Sequence, residues 1–250
     1  MKMNFTKDND LLIVPDVHGR AFWREPVLQG DYAHVVFLGD YTDPYPHEYI
    51  SPAEAMSVFE EIVDFAALHP EKVTLLLGNH DMHYVSPLYG SIAQSSRYNY
   101  ALLDRVNNLY QKHKELFALA FDATYEGVEC LLTHAGVSEV WLHEHRQLVG
   151  APIADNINSL ADSTDGILAL ADVGYERGGW ALSGSPLWAD CHEVASSPLP
   201  DDGDNVAPFQ IFGHTQMGSP RPLVNRHMAC LDCQRTFMLS EVLDLSGRLS

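Results

Sequence analysis

The sequence predicts an α/β fold in which two mixed β-sheets pack face to face between layers of helices, an α/β/β/α sandwich. In the first half of the 250-residue chain, short apolar runs alternate with segments of helical spacing, which favours parallel strands joined by right-handed crossovers. In the second half, apolar runs follow one another across short turns, which favours antiparallel strands. The sequence has no internal repeat and no long linker, so we expect residues 1–250 to form a single domain.

The central strands are predicted from five short apolar runs, each bounded by Gly, Pro or Asp. This pattern is typical of strands buried on both faces. The runs are residues 11–14, 35–38, 73–77, 130–132 and 209–212. Further strands are predicted at residues 117–125 and 128–132, joined through Glu126–Gly127, and in an antiparallel meander at residues 228–231, 236–239 and 242–245.

The longest helix is predicted to begin after Ser51. Ser51 suits the N-cap, Pro52 the first helical position and Glu54 the third, and the helix ends at His69–Pro70. Three more helices are predicted at residues 21–28, 99–116 and 151–171. Residues 82–98, rich in Tyr, Ser, Gly and Pro, predict an active-site loop, and residues 172–208 are predicted to be rich in loops.

The charge of the chain restricts its partners. A net charge of −19, from 34 acidic and 15 basic residues, repels nucleic acids and anionic membranes. It also repels phosphate at long range, so a phosphate-processing site would need metal ions to supply local positive charge. The acidic segment at residues 201–204 is expected to be an exposed loop.

The location expected from the sequence is cytoplasmic. No apolar run approaches the roughly 18 residues of a membrane-spanning helix, and the first residues lack the apolar core of a signal peptide. The four cysteines fit a reducing compartment. Cys230 and Cys233 form a C-x-x-C pair, but no second pair accompanies it, so we predict ordinary buried thiols.

Five polar clusters directly follow the five apolar runs, and they point to a metal site. The carboxyl ends of strands in an open α/β sheet form the edge at which such sheets bind ligands. The clusters are Asp16-Val17-His18-Gly19, Gly39-Asp40-Tyr41-Thr42-Asp43, Gly78-Asn79-His80-Asp81, Thr133-His134-Ala135-Gly136 and Gly213-His214-Thr215.

These residue types suit a pair of divalent ions. Two ions about 3.5–4 Å apart stabilise the attacking and leaving oxygens at phosphorus, and an anionic ligand must bridge them. Asp40 is the predicted bridge, and Asp16 and His18 reach one metal because their i, i+2 spacing puts both on one face. The mixed oxygen and nitrogen donors favour Mn, Fe or Zn over Ca²⁺. The second metal is predicted to take Asn79, His134 and His214.

His80 is the predicted general acid. It lies beside the proposed ligand Asn79, so it points near the metals without binding one. From there it can protonate the leaving alkoxide. Either Asp43 or Asp81 is expected to orient the imidazole and hold it charged.

The order D-x-H, G-D-x-x-D, G-N-H-D, H-A-G, G-H-T resembles that of the calcineurin-like metallophosphoesterases, most closely the phosphoprotein-phosphatase branch and its bacterial relatives. The resemblance spans residues 16–214 and implies the two-sheet sandwich of that family. It implies that Asp16, His18 and Asp40 hold one metal. It implies that Asp40, Asn79, His134 and His214 hold the other, with His80 and Asp43 acting together.

The chain differs from that branch at the position of its phosphate-binding arginine. Pro44–Tyr45 stand where the branch has Arg-Gly, and that Arg grips the phosphate there. Arg177, in a Gly-rich loop, or Arg20 is predicted to supply a replacement guanidinium. Gln216 replaces the second His of a G-H-x-H motif, which disfavours the nuclease and phosphodiesterase branches.

The favoured function is that of a metal-dependent phosphatase acting on phosphate monoesters of a protein or a small molecule. A hydrolase of dinucleoside polyphosphates or cyclic nucleotides is an alternative, because it would use the same scaffold. A non-catalytic metal-bound scaffold is a third hypothesis. Retention of His80 and Asp43 argues against it, since a scaffold does not need an acid.

Overall fold

A computed structural model describes residues 2–201 and 206–249 of the chain. Most of the acidic segment predicted as an exposed loop, residues 202–204, lies outside the described residues. The strands are β1 (Met3–Phe5), β2 (Leu11–Val14), β3 (His34–Phe37), β4 (Val73–Leu76), β5 (Phe117–Ala118), β6 (Ala120–Tyr125), β7 (Val128–Thr133), β8 (Phe209–Phe212), β9 (Leu223–Val224), β10 (Met228–Cys230) and β11 (Phe237–Met238). The α-helices are α1 (Arg24–Gln29), α2 (Pro52–Leu68), α3 (Asn79–Val85), α4 (Pro87–Ile92), α5 (Leu103–Lys112), α6 (Glu139–Glu144), α7 (Ile153–Ser159), α8 (Thr164–Leu170), α9 (Cys191–Ser196) and α10 (Leu239–Leu245).

The strands form two mixed sheets, as the sequence predicts. One sheet has the order β11-β2-β3-β4-β5, with β2 to β5 parallel and β11 antiparallel to β2. The other has the order β1-β6-β7-β8-β10-β9, with both parallel and antiparallel neighbours. The expected parallel first half and hairpin at β6–β7 are therefore confirmed.

The main core lies between the two sheets. Ile13 and Val36 of the five-stranded sheet pack in one cluster with Phe121, Leu132 and Ile211 of the six-stranded sheet. Because side chains alternate along a strand, neighbouring residues of β2 and β3 face the opposite way and pack against α2 and α5. Helices α4, α6, α7 and α8 cover the outer face of the six-stranded sheet, which completes the predicted sandwich.

The start of α2 follows from its sequence. Ser51 accepts a hydrogen bond from the Glu54 amide at 3.2 Å, and the Glu54 carboxylate accepts one from the Ser51 amide at 2.8 Å. Pro52 occupies the first helical position, where no intrahelical donor is needed. The predicted capping box and the end of the helix before His69 are confirmed.

The prediction of an antiparallel meander at the carboxyl terminus is wrong. Residues 242–245, predicted as a strand, belong to α10, whose Val242 and Leu243 pack into the core between the sheets. β10 pairs in parallel with β8, and β11 crosses to the other sheet, where Phe237 pairs with Ile13. A short apolar run suits a buried helix as well as a strand, so its pattern alone does not distinguish them.

Two other segments also differ from expectation. The predicted strand at residues 117–125 divides, since β5 joins the five-stranded sheet and β6 the six-stranded one. Much of the predicted loop at residues 82–98 is helical, in α3 and α4. Among the described residues, none of the helices combines the length and apolar character needed to cross a membrane.

Candidate metal centre

The polar clusters that follow β2, β3, β4, β7 and β8 meet at one edge of the sandwich. Val14 pairs with Phe37, and Phe37 pairs with Leu75, so the carboxyl ends of β2, β3 and β4 lie side by side. In the other sheet the Gly213 amide donates to the His134 carbonyl at 2.8 Å. The side chains of the predicted metal ligands and of the predicted general acid are all buried. They are Asp16, His18, Asp40, Asn79, His80, His134 and His214.

The first group of possible metal donors contains Asp16, His18 and Asp40, whose donor atoms lie within 4.8 Å of one another. His18 Nδ1 lies 2.8 Å from the Thr42 carbonyl, which fixes the proton there and leaves a lone pair on Nε2. That Nε2 lies 3.4 Å from Asp40 Oδ2. Asp16 is held by the His214 amide, which donates to its carboxylate at 2.9 and 3.0 Å.

The second group contains Asp40, His134 and His214, again within 4.8 Å of one another. His134 Nδ1 lies 2.8 Å from the Leu38 carbonyl, so its Nε2 also presents a lone pair. This Nε2 lies 3.1 Å from Asn79 Oδ1 and 3.6 Å from Asp40 Oδ1. Asp40 therefore belongs to both groups, with one carboxylate oxygen near each.

The arrangement suits divalent cations. His134 Nε2 lies 3.1 Å from both Asn79 Oδ1 and His214 Nδ1, and His214 Nε2 is buried without a hydrogen-bond partner among the described residues. Burial, and secondly the neighbouring Asp16, raises the pKa of Asp40 well above its ordinary value, although the His80 amide and Arg97 oppose this. Cations would compensate the buried carboxylates, and this mixed donor set fits transition metals.

The backbone is strained where it presents these side chains. His18, Asp40, Asp43 and His214 all have positive φ, at 45°, 54°, 58° and 61°. This left-handed region is uncommon for residues other than glycine. Strain of this kind persists where the surrounding structure imposes it and is concentrated at functional sites.

Two glycines allow the strands to approach the carboxylates. A β-carbon at Gly78 would overlap the Asp40 carboxylate, and one at Gly213 would overlap the Asp16 carboxylate. Asp81 fixes the same turn, since its carboxylate accepts hydrogen bonds from the amides of Asp40 and Gly78, both at 2.7 Å. Asp81 is thus engaged with the backbone around Asp40.

Asp43, rather than Asp81, contacts His80. His80 Nδ1 lies 2.9 Å from Asp43 Oδ2. His83 Nε2 lies 2.9 Å from the same oxygen, and the Tyr84 hydroxyl donates to the other carboxylate oxygen at 2.5 Å. Burial alone would raise the pKa of Asp43, but the hydrogen bonds from His80, His83 and Tyr84 hold it below its ordinary value.

Burial opposes the positive charge expected for His80. Burial lowers the pKa of His80 to about 4, although the bond to Asp43 opposes this and the nearby Arg97 adds to it. The lowered pKa favours the neutral imidazole, and Asp43 orients the ring through Nδ1.

Arg97 belongs to the site and was not singled out from the sequence. Its Nη2 lies 2.8 Å from His80 Nε2 and 3.4 Å from His18 Nε2. Its guanidinium carbon lies 3.6 Å from the centroid of the Tyr45 ring. The only sequence signal was its place in the predicted active-site loop, residues 82–98.

Arg20 and Arg177 also border the site, but other groups engage them. Arg20 Nε donates to Glu48 at 2.8 Å, and its Nη1 donates to the Asp16 carbonyl at 3.3 Å. Arg177 Nη2 donates to the Thr215 hydroxyl at 2.6 Å, next to His214, and its Nε lies 3.1 Å from an Asp190 oxygen.

A second residue missed from the sequence is Asp232. It is fully buried, and neither carboxylate oxygen has a hydrogen-bond partner among the described residues. Burial, and secondly Asp16, raises its pKa well above the ordinary value. Asp232 follows β10, which lies parallel to β8, so the strand-end rule that identified His214 applies to it too.

Comparisons with known proteins show similarity in the part of the chain that carries the site. A family model described as calcineurin-like phosphoesterase matches residues 11–216, a range that contains all five polar clusters. The serine/threonine-protein phosphatase 6 catalytic subunit of Drosophila melanogaster is 27% identical over 128 residues, 49% of this chain and 38% of that protein. A solved protein serine/threonine phosphatase from Saccharomyces cerevisiae, with similarity to human phosphatase PP5, covers 54% of this chain and 42% of its own, at 18% identity and a TM-score of 0.36. The chain thus spans less than half the length of these relatives.

Proposed function

The chain belongs to the calcineurin-like phosphoesterase family, and from this premise we propose that it is a metal-dependent phosphatase that hydrolyses phosphate monoesters. The observation that carries the proposal is the position of Asp40 in both donor groups. A carboxylate shared in this way is what a pair of neighbouring cations requires as a bridge. Bound divalent ions would neutralise the phosphoryl oxygens and make water acidic enough to attack near neutral pH.

The proposed ligands form two sets that share Asp40. Asp16, His18 and Asp40 hold one ion, and Asp40, Asn79, His134 and His214 hold the other. The Thr42 and Leu38 carbonyls fix the tautomers of His18 and His134, so both offer Nε2 as the donor atom. We propose Mn, Fe or Zn as the metal, because the donors combine imidazole nitrogen with carboxylate and amide oxygen.

His80 is the proposed general acid, and Asp43 is its positioning residue. Nδ1 of His80 is engaged in the contact with Asp43. Any proton that His80 gives to the leaving group must therefore come from Nε2. The low pKa of His80 means that this proton must be acquired with the substrate. A phosphoryl dianion beside Nε2 favours the imidazolium form and would raise that pKa.

The proposed substrate is a phosphorylated protein or a phosphorylated small molecule. The Drosophila relative is named a serine/threonine-protein phosphatase, which favours phosphoserine or phosphothreonine in a protein as the substrate. Arg177 and Arg20 remain proposed substrate-binding residues, since both border the donor groups. The four cysteines are buried and free, in keeping with the cytoplasmic setting that we propose.

The proposal is tested by comparing an aryl phosphate monoester with the corresponding diester. The purified protein is assayed with each, with added Mn²⁺ and with a chelator. We expect turnover of the monoester that Mn²⁺ supports and the chelator abolishes. Preference for the diester would contradict the monoester assignment, and absence of turnover from a protein shown to hold metal would contradict the catalytic one.

A further inference from the structure

Arg97 lies against the Tyr45 ring at the mouth of the metal centre. Its guanidinium carbon is 3.6 Å from the ring centroid, a distance at which cation and ring attract each other. Tyr45 in turn makes an edge contact with the His18 ring, at a centroid distance of 5.1 Å. The guanidinium thus lies on the Tyr45 ring and beside His18, a proposed metal ligand.

The contacts of Arg97 are unlike those of a structural arginine. On the surface, Arg24 pairs with Glu61 and Arg105 pairs with Glu60, each at 2.7 Å. Arg97 Nη2 instead donates to the lone pair of His80 Nε2, and its Nη1 is buried without a hydrogen-bond partner among the described residues. A buried N–H of a charged group is costly to leave unpaired, so this N–H is available to a ligand.

We propose that Arg97, on its Tyr45 platform, is the group of this chain that binds a tetrahedral oxyanion, the phosphoryl group of the substrate or inorganic phosphate. This assignment rests on the proposed function, whose reaction supplies that ligand. The planar fork of a guanidinium matches two phosphate oxygens, and Arg97 Nη1 and Nη2 would donate to them. Pro44–Tyr45, which replace an Arg-Gly, thus contribute to anion binding through the Tyr45 ring and not through a charge of their own.

The positions of the other two candidate arginines favour Arg97. Arg20 already pairs with Glu48 at 2.8 Å, and Arg177 with Asp190 at 3.1 Å, so a carboxylate offsets part of each charge. The guanidinium of Arg97 contacts the centre directly, since its Nη2 lies 2.8 Å from His80 Nε2 and 3.4 Å from His18 Nε2. Arg20 Nη2 is also buried without a hydrogen-bond partner, but Arg97 is the arginine whose Nη2 contacts the proposed acid and which pairs with no carboxylate among the described residues.

The test measures phosphate affinity in the Mn²⁺-loaded protein. Inorganic phosphate is titrated calorimetrically and is used as a competitive inhibitor of aryl phosphate turnover. We expect Arg97→Ala to weaken phosphate binding by about 10- to 100-fold, as for the loss of a charged hydrogen-bond donor. Arg97→Lys, which keeps the charge but loses the fork, should weaken it less. Arg24→Ala, which removes a surface arginine, should leave it unchanged.

The platform is tested separately. Tyr45→Phe keeps the ring and should lose less phosphate affinity than Tyr45→Ala, which should lose several-fold. Bound metal and thermal stability are measured for each variant, and Arg97→Lys replaces Arg97→Ala if the latter does not fold. Unchanged phosphate affinity in the Arg97 variants at equal metal content would overturn the assignment, even where the wild-type enzyme hydrolyses the monoester. Wild-type protein that binds phosphate through Arg97 but turns over no ester would instead contradict the proposed function alone.

Discussion

His80 and Asp43, 37 positions apart in the chain, meet through a contact of 2.9 Å between Nδ1 and Oδ2. His83 and Tyr84 hold the same carboxylate from the other side, so Asp43 has one available orientation. The imidazole of His80 is consequently fixed, with its ring 5.2 Å from that of His18 and its Nε2 towards the donor groups. Through this contact Asp43 positions His80, the proposed general acid, beside the proposed metal ligands.

Asp43→Asn should slow hydrolysis of esters with poor leaving groups. Without the carboxylate, the orientation and tautomer of His80 are no longer imposed, and general acid catalysis is worth about 10²- to 10⁴-fold. We expect kcat for an alkyl phosphate to fall by about 100-fold, and kcat for an acidic aryl phosphate by less than about 10-fold. Steady-state kinetics with both substrates measure this difference.

A double variant shows whether the two residues act as a unit. Asp43→Asn combined with His80→Ala should be no slower than His80→Ala alone. Asp172→Asn is a matched control, because Asp172 forms a 2.7 Å pair with His145 that is partly exposed and separate from the donor groups. Equal losses for both leaving groups, or additive losses in the double variant, would remove the acid role.

Asp40→Asn should reduce bound metal and activity together. The change keeps the shape of the side chain but removes the negative charge shared by the two donor groups. We expect the loss of at least one bound ion per chain and a decrease in kcat/KM of roughly 100-fold or more, since changes even to the supports of metal ligands cost 10- to 100-fold. Metal analysis of the desalted protein, with the assay, measures both. Asp64→Asn, on the exposed face of α2, is the control.

Wild-type metal content and activity in Asp40→Asn would remove Asp40 from the bridge. Normal metal content with low activity would place Asp40 in catalysis but not in binding. The structure predicts neither, because Asp40 oxygens lie within 3.6 Å of the donor nitrogens of both His18 and His134.

The fold could be predicted where the local sequence pattern is compatible with only one type of secondary structure. The capping box at Ser51 and the apolar runs before Asp16 and Asp40 each indicate one element, and they are found where expected. Residues 242–245 and 117–125 could not be placed. Their apolar character suits a helix or a strand in either sheet, and only packing across the whole molecule decides between these.

The site likewise contains residues that could be predicted from the sequence and residues that could not. Its donor residues follow strands, so the edge of the sheet determines where they meet, and the structure brings together all six predicted ligands. Asp232 obeys the same rule but stands alone after its strand, without a neighbouring His or Gly to form a motif. Arg97 lies between helices, and only the folded chain brings it onto Tyr45.

Gly78→Ala should weaken metal binding without removing a ligand. The added methyl group would overlap the Asp40 carboxylate and come within 2.8 Å of the His134 ring, so both must shift. We expect a loss of metal affinity of about 10- to 100-fold, measured by titration of the metal-free protein with Mn²⁺. Gly218→Ala is the matched control, because its methyl group would meet no atom within 4 Å. Equal affinities of the two variants would contradict the close approach.

Removal of metal should destabilise the folded protein. Burial, and secondly repulsion from Asp16, opposes the charge of Asp40, and bound cations would relieve both effects. A ligand at 100 times its Kd stabilises by about 2.7 kcal/mol. For a chain of this size, that corresponds to a decrease in Tm of about 5–10 °C when a chelator is added. Thermal unfolding with and without chelator measures this, and Asp40→Asn should show a smaller difference.

His34 should make the stability depend on pH through a route separate from the metal. Its side chain is buried, with Nε2 2.9 Å from the Thr74 hydroxyl and the ring stacked on Phe121. Burial lowers the pKa of His34 from 6.5 to about 4. Between these values the unfolded chain binds a proton that the folded chain does not, so stability falls as the pH falls from about 6.5 to about 4.

His34→Phe keeps an aromatic ring but cannot bind a proton. The free energy of unfolding, measured with urea at several pH values in the presence of chelator, should therefore fall less steeply on acidification than in the wild type. The difference in slope should approach one proton, about 1.4 kcal/mol per pH unit. Thr74→Val removes the hydrogen bond but leaves the imidazole, so it should shift the stability at every pH and keep the wild-type slope. Parallel curves for His34→Phe and the wild type would mean that His34 is accessible to protons in the folded state, in conflict with its burial.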